Sequence, residues 1–153
     1  MDAAPTPTPV SRDFEKLGEN RFKIVVEPKL EIGEFRECTG LSVEREILEY
    51  AEGGNNDFVH KLPGRLKFPN LVLKRGTTDQ GQLLRWFWDT RSNPELRTVT
   101  VTLVDASGKE DARIWAFSGA YPIKWAGPTL NAGSDAAATE TLEIAHGGLV
   151  HIK

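Results

Sequence analysis

Thr98-Val99-Thr100-Val101-Thr102-Leu103 alternates between polar and apolar side chains, the pattern of a strand with one face buried and one solvated. The run stops at Asp105-Ala106-Ser107-Gly108, a turn composition, and residues 112–118 are expected to return antiparallel beside it. Toward the N-terminus, Phe22, Ile24 and Val26 alternate with Lys23 and Glu27 as far as Pro28. Toward the C-terminus, Leu142 and Ile144 alternate with Thr141 and Glu143 in a last strand over residues 139–145. Residues 31–37, 41–50, 58–62 and 68–76 also read as extended.

One helix interrupts the strands, expected over residues 79–91. Thr77 and Gln80 stand at capping-box spacing, and Asp79 suits the positive end of a helix. Leu84, Phe87 and Trp88 share a face that Leu83 and Trp86 widen, and Asn93-Pro94 closes the segment. An aromatic stripe at helical spacing covers a sheet more often than it binds a ligand. The expected architecture is therefore mainly β, an antiparallel β-sandwich or small barrel with one flanking α-helix.

The chain's 153 residues suffice for one domain with a real core, and 39% hydrophobic and 27% charged residues suit a globular protein. Nineteen basic and 22 acidic residues leave a net charge of −3, which gives no reason to expect binding to nucleic acid or to an anionic membrane. One cysteine, Cys38, closes no internal disulfide, so the fold stands on packing. No apolar run approaches the roughly 20 residues that span a bilayer, and the N-terminus lacks the layout of a signal peptide. Residues 1–14 read as an arm outside the domain of residues 15–153. There Pro5, Pro7 and Pro9 alternate with Thr6 and Thr8 in an extended, solvated pattern. The arm is either a disordered tail or a segment that orders against a neighbouring subunit.

Residues with catalytic potential do not converge. His60, His146 and His151 form no i, i+4 pair, and no CxxC, HExxH, P-loop or G-x-G-x-x-G pattern occurs. Cys38 lies beside Glu34 and Glu37, which would raise its pKa and blunt it as a nucleophile. Glu44, Glu46, Glu49 and Glu52 alternate with residues that offer little burial, so they read as a solvated or subunit-facing strand. No catalytic, cofactor-binding or metal-binding residue is assigned, and no cofactor is expected.

The segment from Leu41 to Leu62 is unusual for a monomer. It runs extended through Val43, Glu44, Arg45, Glu49 and Tyr50, passes Gly53-Gly54-Asn55-Asn56-Asp57, and returns through Lys61 and Leu62. The glycines and asparagines tolerate positive φ and read as a hairpin tip. A charged two-stranded ribbon with sparse apolar residues is marginal alone in water. Either it is a flexible loop or it pairs with a neighbouring chain.

The order and spacing of several segments resemble the tail tube family of contractile phages and phage-tail-like contractile injection systems. They include Gly40-Leu41-Ser42-Val43-Glu44, Glu49-Tyr50-Ala51-Glu52-Gly53-Gly54, Lys61-Leu62-Pro63-Gly64 and Leu71-Val72-Leu73-Lys74-Arg75-Gly76. Tyr121-Pro122-Ile123-Lys124-Trp125-Ala126-Gly127-Pro128, Leu130-Asn131-Ala132 and Glu140-Thr141-Leu142-Glu143-Ile144-Ala145-His146 follow. Ala51, where the family usually has a basic residue, and Gly147, where it often has an acidic one, depart from it. The resemblance implies a structural protein that is not an enzyme. It would assemble with itself into stacked hexameric rings whose strands form a continuous inner barrel. The implied inter-subunit hairpin residues are Leu41, Val43, Glu44, Arg45, Glu49, Tyr50, Gly53, Gly54, Lys61 and Leu62. Implied partners are sheath, baseplate or tube-initiator and cap proteins, with cargo or DNA in the lumen and no membrane. Implied too is assembly in the bacterial cytoplasm, as part of a phage tail or a released injection particle. A tube-initiating or capping homologue and a monomeric β-barrel binding module are the alternative readings.

Overall fold

The threonine–valine run is a central strand, and its alternation is what places it there. Val99 and Val101 are buried, and the strand is hydrogen-bonded on both edges, with Val101 opposite Ile24 on one side and Trp115 on the other. The computed structural model describes residues 21–27, 30–54, 57–77, 81–104 and 111–153. In chain order the elements are β1 (Arg21–Val26), β2 (Leu30–Phe35), β3 (Glu37–Thr39), β4 (Glu44–Tyr50) and β5 (His60–Lys67). They continue with β6 (Leu71–Gly76), α1 (Gln82–Asp89), β7 (Arg97–Val104), β8 (Asp111–Ala126), β9 (Thr139–Ala145) and β10 (Gly148–Ile152). The expected turn at residues 105–108 lies outside the described residues.

Eight strands form one antiparallel sheet in the order β2-β1-β7-β8-β9-β6-β3, with β10 also paired to β8. Two corners curl this sheet around its core. The 16-residue β8 pairs with β7 and β10 through its first half and with β9 through its second. Gly119, between the halves, has φ 62, a backbone conformation that costs glycine nothing. At the second corner Arg36 separates β2, which pairs with β1, from β3, which pairs with β6. The Arg36 N–H donates to the Lys74 carbonyl at 3.0 Å and keeps that corner closed. Inside lie Ile24, Val26, Ile32, Phe35, Leu71, Leu73, Val99, Val101, Phe117, Leu142 and Ile144, drawn from both halves. The curled, mainly antiparallel sheet with one helix is the expected class.

A buried ion pair ties the halves together. Arg75 and Glu140 are directly opposed across β6 and β9, with Nε donating to Oε1 at 2.7 Å and side chains only 5% and 4% exposed. Arg75 Nη1 donates to the Ile32 carbonyl on β2, and its guanidinium lies 5.3 Å from the centre of the Phe35 ring. The other Glu140 oxygen accepts from Trp125 Nε1 on β8 at 3.1 Å. Four strands thus meet at one pair of opposite charges. Glu140→Ala is expected to cost about 3–5 kcal/mol, because it leaves the arginine buried and unpaired. Adding Arg75→Met to that variant should recover part of the loss. Urea unfolding measures both, and a Glu140→Ala midpoint equal to wild type would contradict the assignment.

The helix differs from expectation in extent and in orientation. It begins at Gln82 rather than 79, because Gly81 at φ 56 turns the chain straight into it with no side-chain cap. Gln80 lies outside the described residues, and the Thr77 N–H donates to the Ala138 carbonyl at 3.0 Å. The helix ends at Asp89, with Thr90 Oγ1 donating to the Phe87 carbonyl at 2.7 Å, before Asn93-Pro94 is reached. Leu83 and Trp86 are the buried residues and Phe87 packs partly against the core, whereas Leu84 and Trp88 face outward. The inner stripe is therefore set one residue back from the expected one. Trp86→Ala should destabilise the fold by about 3–5 kcal/mol. Trp88→Ala should stay within about 0.5 kcal/mol of wild type. Equal shifts in their thermal midpoints would show that the orientation is wrong.

Candidate assembly surface

Between β3 and β6 the chain leaves the main sheet and forms a separate two-stranded ribbon, β4 with β5. Glu44 opposes Lys67, Leu48 opposes Leu62, Glu49 opposes Lys61 and Tyr50 opposes His60. The register shifts between Arg45 and Ile47, so Gly64 and Arg65 together face Glu46. Gly64 suits this bulge because a Cβ there would come within 2.7 Å of the Glu46 carbonyl oxygen. Arg45 Nη1 donates to the Gly64 carbonyl at 3.1 Å, and Lys67 lies 3.5 Å from the Glu46 carboxylate.

Opposed residues share a face, so the pairing sorts the ribbon's side chains. Leu48, Tyr50 and Leu62 lie on one face, and Ile47, Pro63 and Leu66 on the other. Leu48, Tyr50, Leu62, Ile47 and Leu66 are each between 47% and 58% exposed. Leu41 and Val43, in the segment leading into β4, are exposed as well. The apolar residues that looked sparse in sequence therefore gather into a patch on each face. Leu66 has no visible pattern because the bulge breaks the two-residue period of β5, and Ile47 and Leu48 have none because, as chain neighbours, they fall on opposite faces; the pairing of β4 with β5 is the signal that finds them. Glu44, Arg45, Glu49 and Lys61 are exposed between the patches. Gly53 and Gly54 form the described part of the tip, with Gly54 at φ 94. Among the described residues, no other strand pairs with either outer edge.

The ribbon's root is tightly fixed. Gly40, at φ 93, passes so close to the chain returning at Asn70 that a Cβ on it would lie 2.1 Å from the Asn70 carbonyl oxygen. Asn70 Nδ2 donates to Glu143 Oε1 at 3.0 Å. His146, just after β9, reaches the Pro69 carbonyl through Nε2 at 3.0 Å and packs against the Phe68 and Phe117 rings. Reactive chemistry does not gather here. Among the described residues no group of three potential metal ligands occurs. The Cys38 thiol is pushed up to about 11 by burial, not by the neighbouring carboxylates that the sequence suggested.

Residues 18–150 match the family described as T4-like virus tail tube protein gp19. The chain belongs to that family. It is a tail tube protein, and the family is a structural one. No curated protein matches the sequence. Three solved structures show the same fold. A chain of the extended PVC sheath–tube complex of an extracellular contractile injection system is 24% identical, with TM-score 0.73, over 87% of this chain and 88% of that one. A chain of the extended PVC sheath/tube terminator is 24% identical, with TM-score 0.75, over 99% of each. A chain of the anti-feeding prophage baseplate is 24% identical, with TM-score 0.74, over 88% of this tail tube protein and 92% of its counterpart.

The root of the ribbon carries a pH dependence. A carbonyl only accepts, so His146 Nε2 holds the proton, and Nδ1 is buried with no partner among the described residues. Burial lowers the His146 pKa, and the bond to Pro69 opposes this in part. The unfolded chain takes up a proton near its ordinary value of about 6.5, whereas the folded chain resists it. The resulting stabilisation is complete above about pH 6.5 and is lost as pH falls below that value. His146→Gln retains a donor for Pro69 but cannot become charged. Its thermal midpoint should fall less than wild type's between pH 7.5 and pH 5.5, and parallel declines would overturn this account.

Proposed function

We propose that this tail tube protein assembles with copies of itself into hexameric rings that stack into a conduit, with the β4–β5 ribbon as the principal inter-subunit element. The observation that carries this reading is a ribbon with exposed apolar patches on both faces and outer edges that, among the described residues, no strand pairs with. In isolation such a ribbon is marginal, and its free edges invite another strand. Pairing with neighbouring copies removes both difficulties at once, and head-to-tail contacts close laterally while remaining open along the axis. Leu41, Val43, Leu62 and Tyr50 supply apolar contact. Glu44, Arg45, Glu49 and Lys61 set charge register, and Gly53-Gly54 let the tip turn. Sheath, baseplate and cap proteins are the proposed partners of the finished tube, which surrounds cargo or DNA. Residues 1–14 are proposed as an arm outside the tube domain. Assembly takes place in the bacterial cytoplasm, within a phage tail or an injection particle released later.

Light scattering and negative-stain microscopy on the purified protein test the reading, with rings or tubes as the expected result. A single layer that never extends would point instead to an initiating or capping role. A 17.0 kDa monomer at every concentration would refute self-assembly. Leu48→Asp combined with Leu62→Asp should abolish rings without lowering the unfolding midpoint of the subunit, since both residues are exposed in it. Rings that persist in the double variant would remove the ribbon from the interface.

A further inference from the structure

The ribbon's two apolar faces point in opposite directions, so one neighbouring surface cannot cover both. With the Leu48–Leu62 face engaged within a ring, as proposed above, the face of Ile47, Pro63 and Leu66 is left for another copy. A second ribbon cannot be its partner in a growing tube. Ribbon-on-ribbon pairing is self-complementary and closes as a dimer, which ends growth. Lengthening needs a different surface on the receiving copy.

Strand register places the two ends of the body. At one end of β3, β6 and β9, Thr39 opposes Val72 and Leu71 opposes Ile144, and there the ribbon leaves the main sheet. At the other end Gly76 opposes Thr139, and there the chain passes from β8 through residues 127–138 into β9. Along β9 the ends, marked by Thr139 and Ala145, are about 20 Å apart. β4 and β5 contact chiefly each other, so the ribbon projects from the body and does not fold back over it.

The end opposite the ribbon carries exposed apolar side chains of its own. Residues 129–138 are all exposed, and Leu130, at 85%, is the most exposed large hydrophobic residue among those described. Hydrogen bonds shape its loop. Asn131 Oδ1 accepts from the Gly133 N–H at 3.1 Å, Ser134 Oγ from the Ala136 N–H at 3.2 Å, and the Ala138 carbonyl from the Thr77 N–H at 3.0 Å. Gly81 follows Thr77 by no more than about 14 Å of chain. It begins a cleft of about 490 Å³ on the outer side of α1, lined also by Leu84, Arg85, Trp88 and Asp89. The Arg91 guanidinium, 4.9 Å from the centre of the Trp88 ring, holds the indole in place while leaving it exposed. Leu130 and the Gly81 end of the cleft thus share the end of the body farthest from the ribbon's root. Charge matches as well. Arg45 and Glu49 flank Ile47 on its face of the ribbon, and Arg85 and Asp89 border the cleft, so each arginine can meet an acid.

We infer, on the reading that this protein forms stacked rings, that the Ile47–Leu66 face docks against Leu130 and the α1 cleft of a copy in the next ring. Contacts between opposite ends of a body repeat in a row that does not close, so this contact runs along the tube.

Leu130→Asp and, separately, Ile47→Asp with Leu66→Asp test the contact by negative-stain microscopy. Each should give rings that do not stack, with the subunit's unfolding midpoint unchanged, because these side chains are exposed. In a Cys38→Ala background, subunits carrying Leu130→Cys mixed with subunits carrying Leu66→Cys should form a disulfide-linked dimer on oxidation. Leu130→Cys subunits alone should not. Tubes of wild-type length from either surface variant, or loss of rings along with stacking, would overturn the contact. So would a mixture that does not cross-link, or a cross-link from Leu130→Cys alone. Absence of rings already in the wild type would instead refute self-assembly itself, and this contact with it.

Discussion

An arginine and a glutamate shut away from water, Arg75 and Glu140, define the geometry that the rest of the subunit depends on. Removing two charges from solvent is costly, and their attraction compensates only when distance and hydrogen bonding are both good. Here those conditions require β6 and β9 in register, the Ile32 carbonyl on β2 within reach of the guanidinium, and Trp125 on β8 donating to the carboxylate. A one-residue slip of β6 along β9 would part the charges and turn Leu71 and Leu73 out of the core. The pair therefore selects one arrangement of four strands more than it adds to their stability. Apolar packing supplies most of the driving force, and the ion pair makes alternative registers expensive.

That fixed body contrasts with what projects from it. The main sheet turns most of its apolar side chains inward, Tyr121 and Ile123 of β8 and Val150 and Ile152 of β10 excepted, whereas the ribbon leaves leucines, an isoleucine and a tyrosine about half exposed. Few cross-strand charge pairs connect the ribbon's strands, and surface pairs of this kind contribute little. Stability and stickiness are thus divided between two parts of the same chain. The body folds by its own contacts, while the ribbon keeps most of its apolar surface in reserve.

The sequence disclosed the body better than the ribbon, for identifiable physical reasons. β1, β7 and β9 each have one buried and one solvated face, so their alternation is visible in the residues themselves. β8 was expected to stop near Ser118, yet it continues to Ala126. Gly119 and Pro122 look like breakers, but one marks a corner and the other lies where the register shifts beside β9. β10 went unseen because Gly147-Gly148 resembles a turn, whereas Gly148 sits close against Phe68. The helix face differs because Leu83, Leu84, Trp86, Phe87 and Trp88 cover a wider arc than the core can bury, and tertiary packing chose Leu83 and Trp86 from it. The Arg75–Glu140 pair had no local signature, since its partners are 65 residues apart. The hairpin was legible from its glycines and asparagines, while its apolar patches required knowledge of the pairing.

The close passage of Gly40 beside Asn70 has a consequence for how such subunits diversify. β3 and β6 are antiparallel neighbours, with Thr39 opposite Val72, so their ends already meet. The ribbon is thus an insertion into what would otherwise be an ordinary short hairpin, entering and leaving at one point. Its length, charge and tip sequence can vary without displacing any strand of the body, provided the glycine at the entrance remains. Mutation and recombination can therefore act on residues 41–67 as a cassette, refashioning the surface offered to neighbours while the scaffold, with Phe68 and Pro69 held against His146, is inherited unchanged.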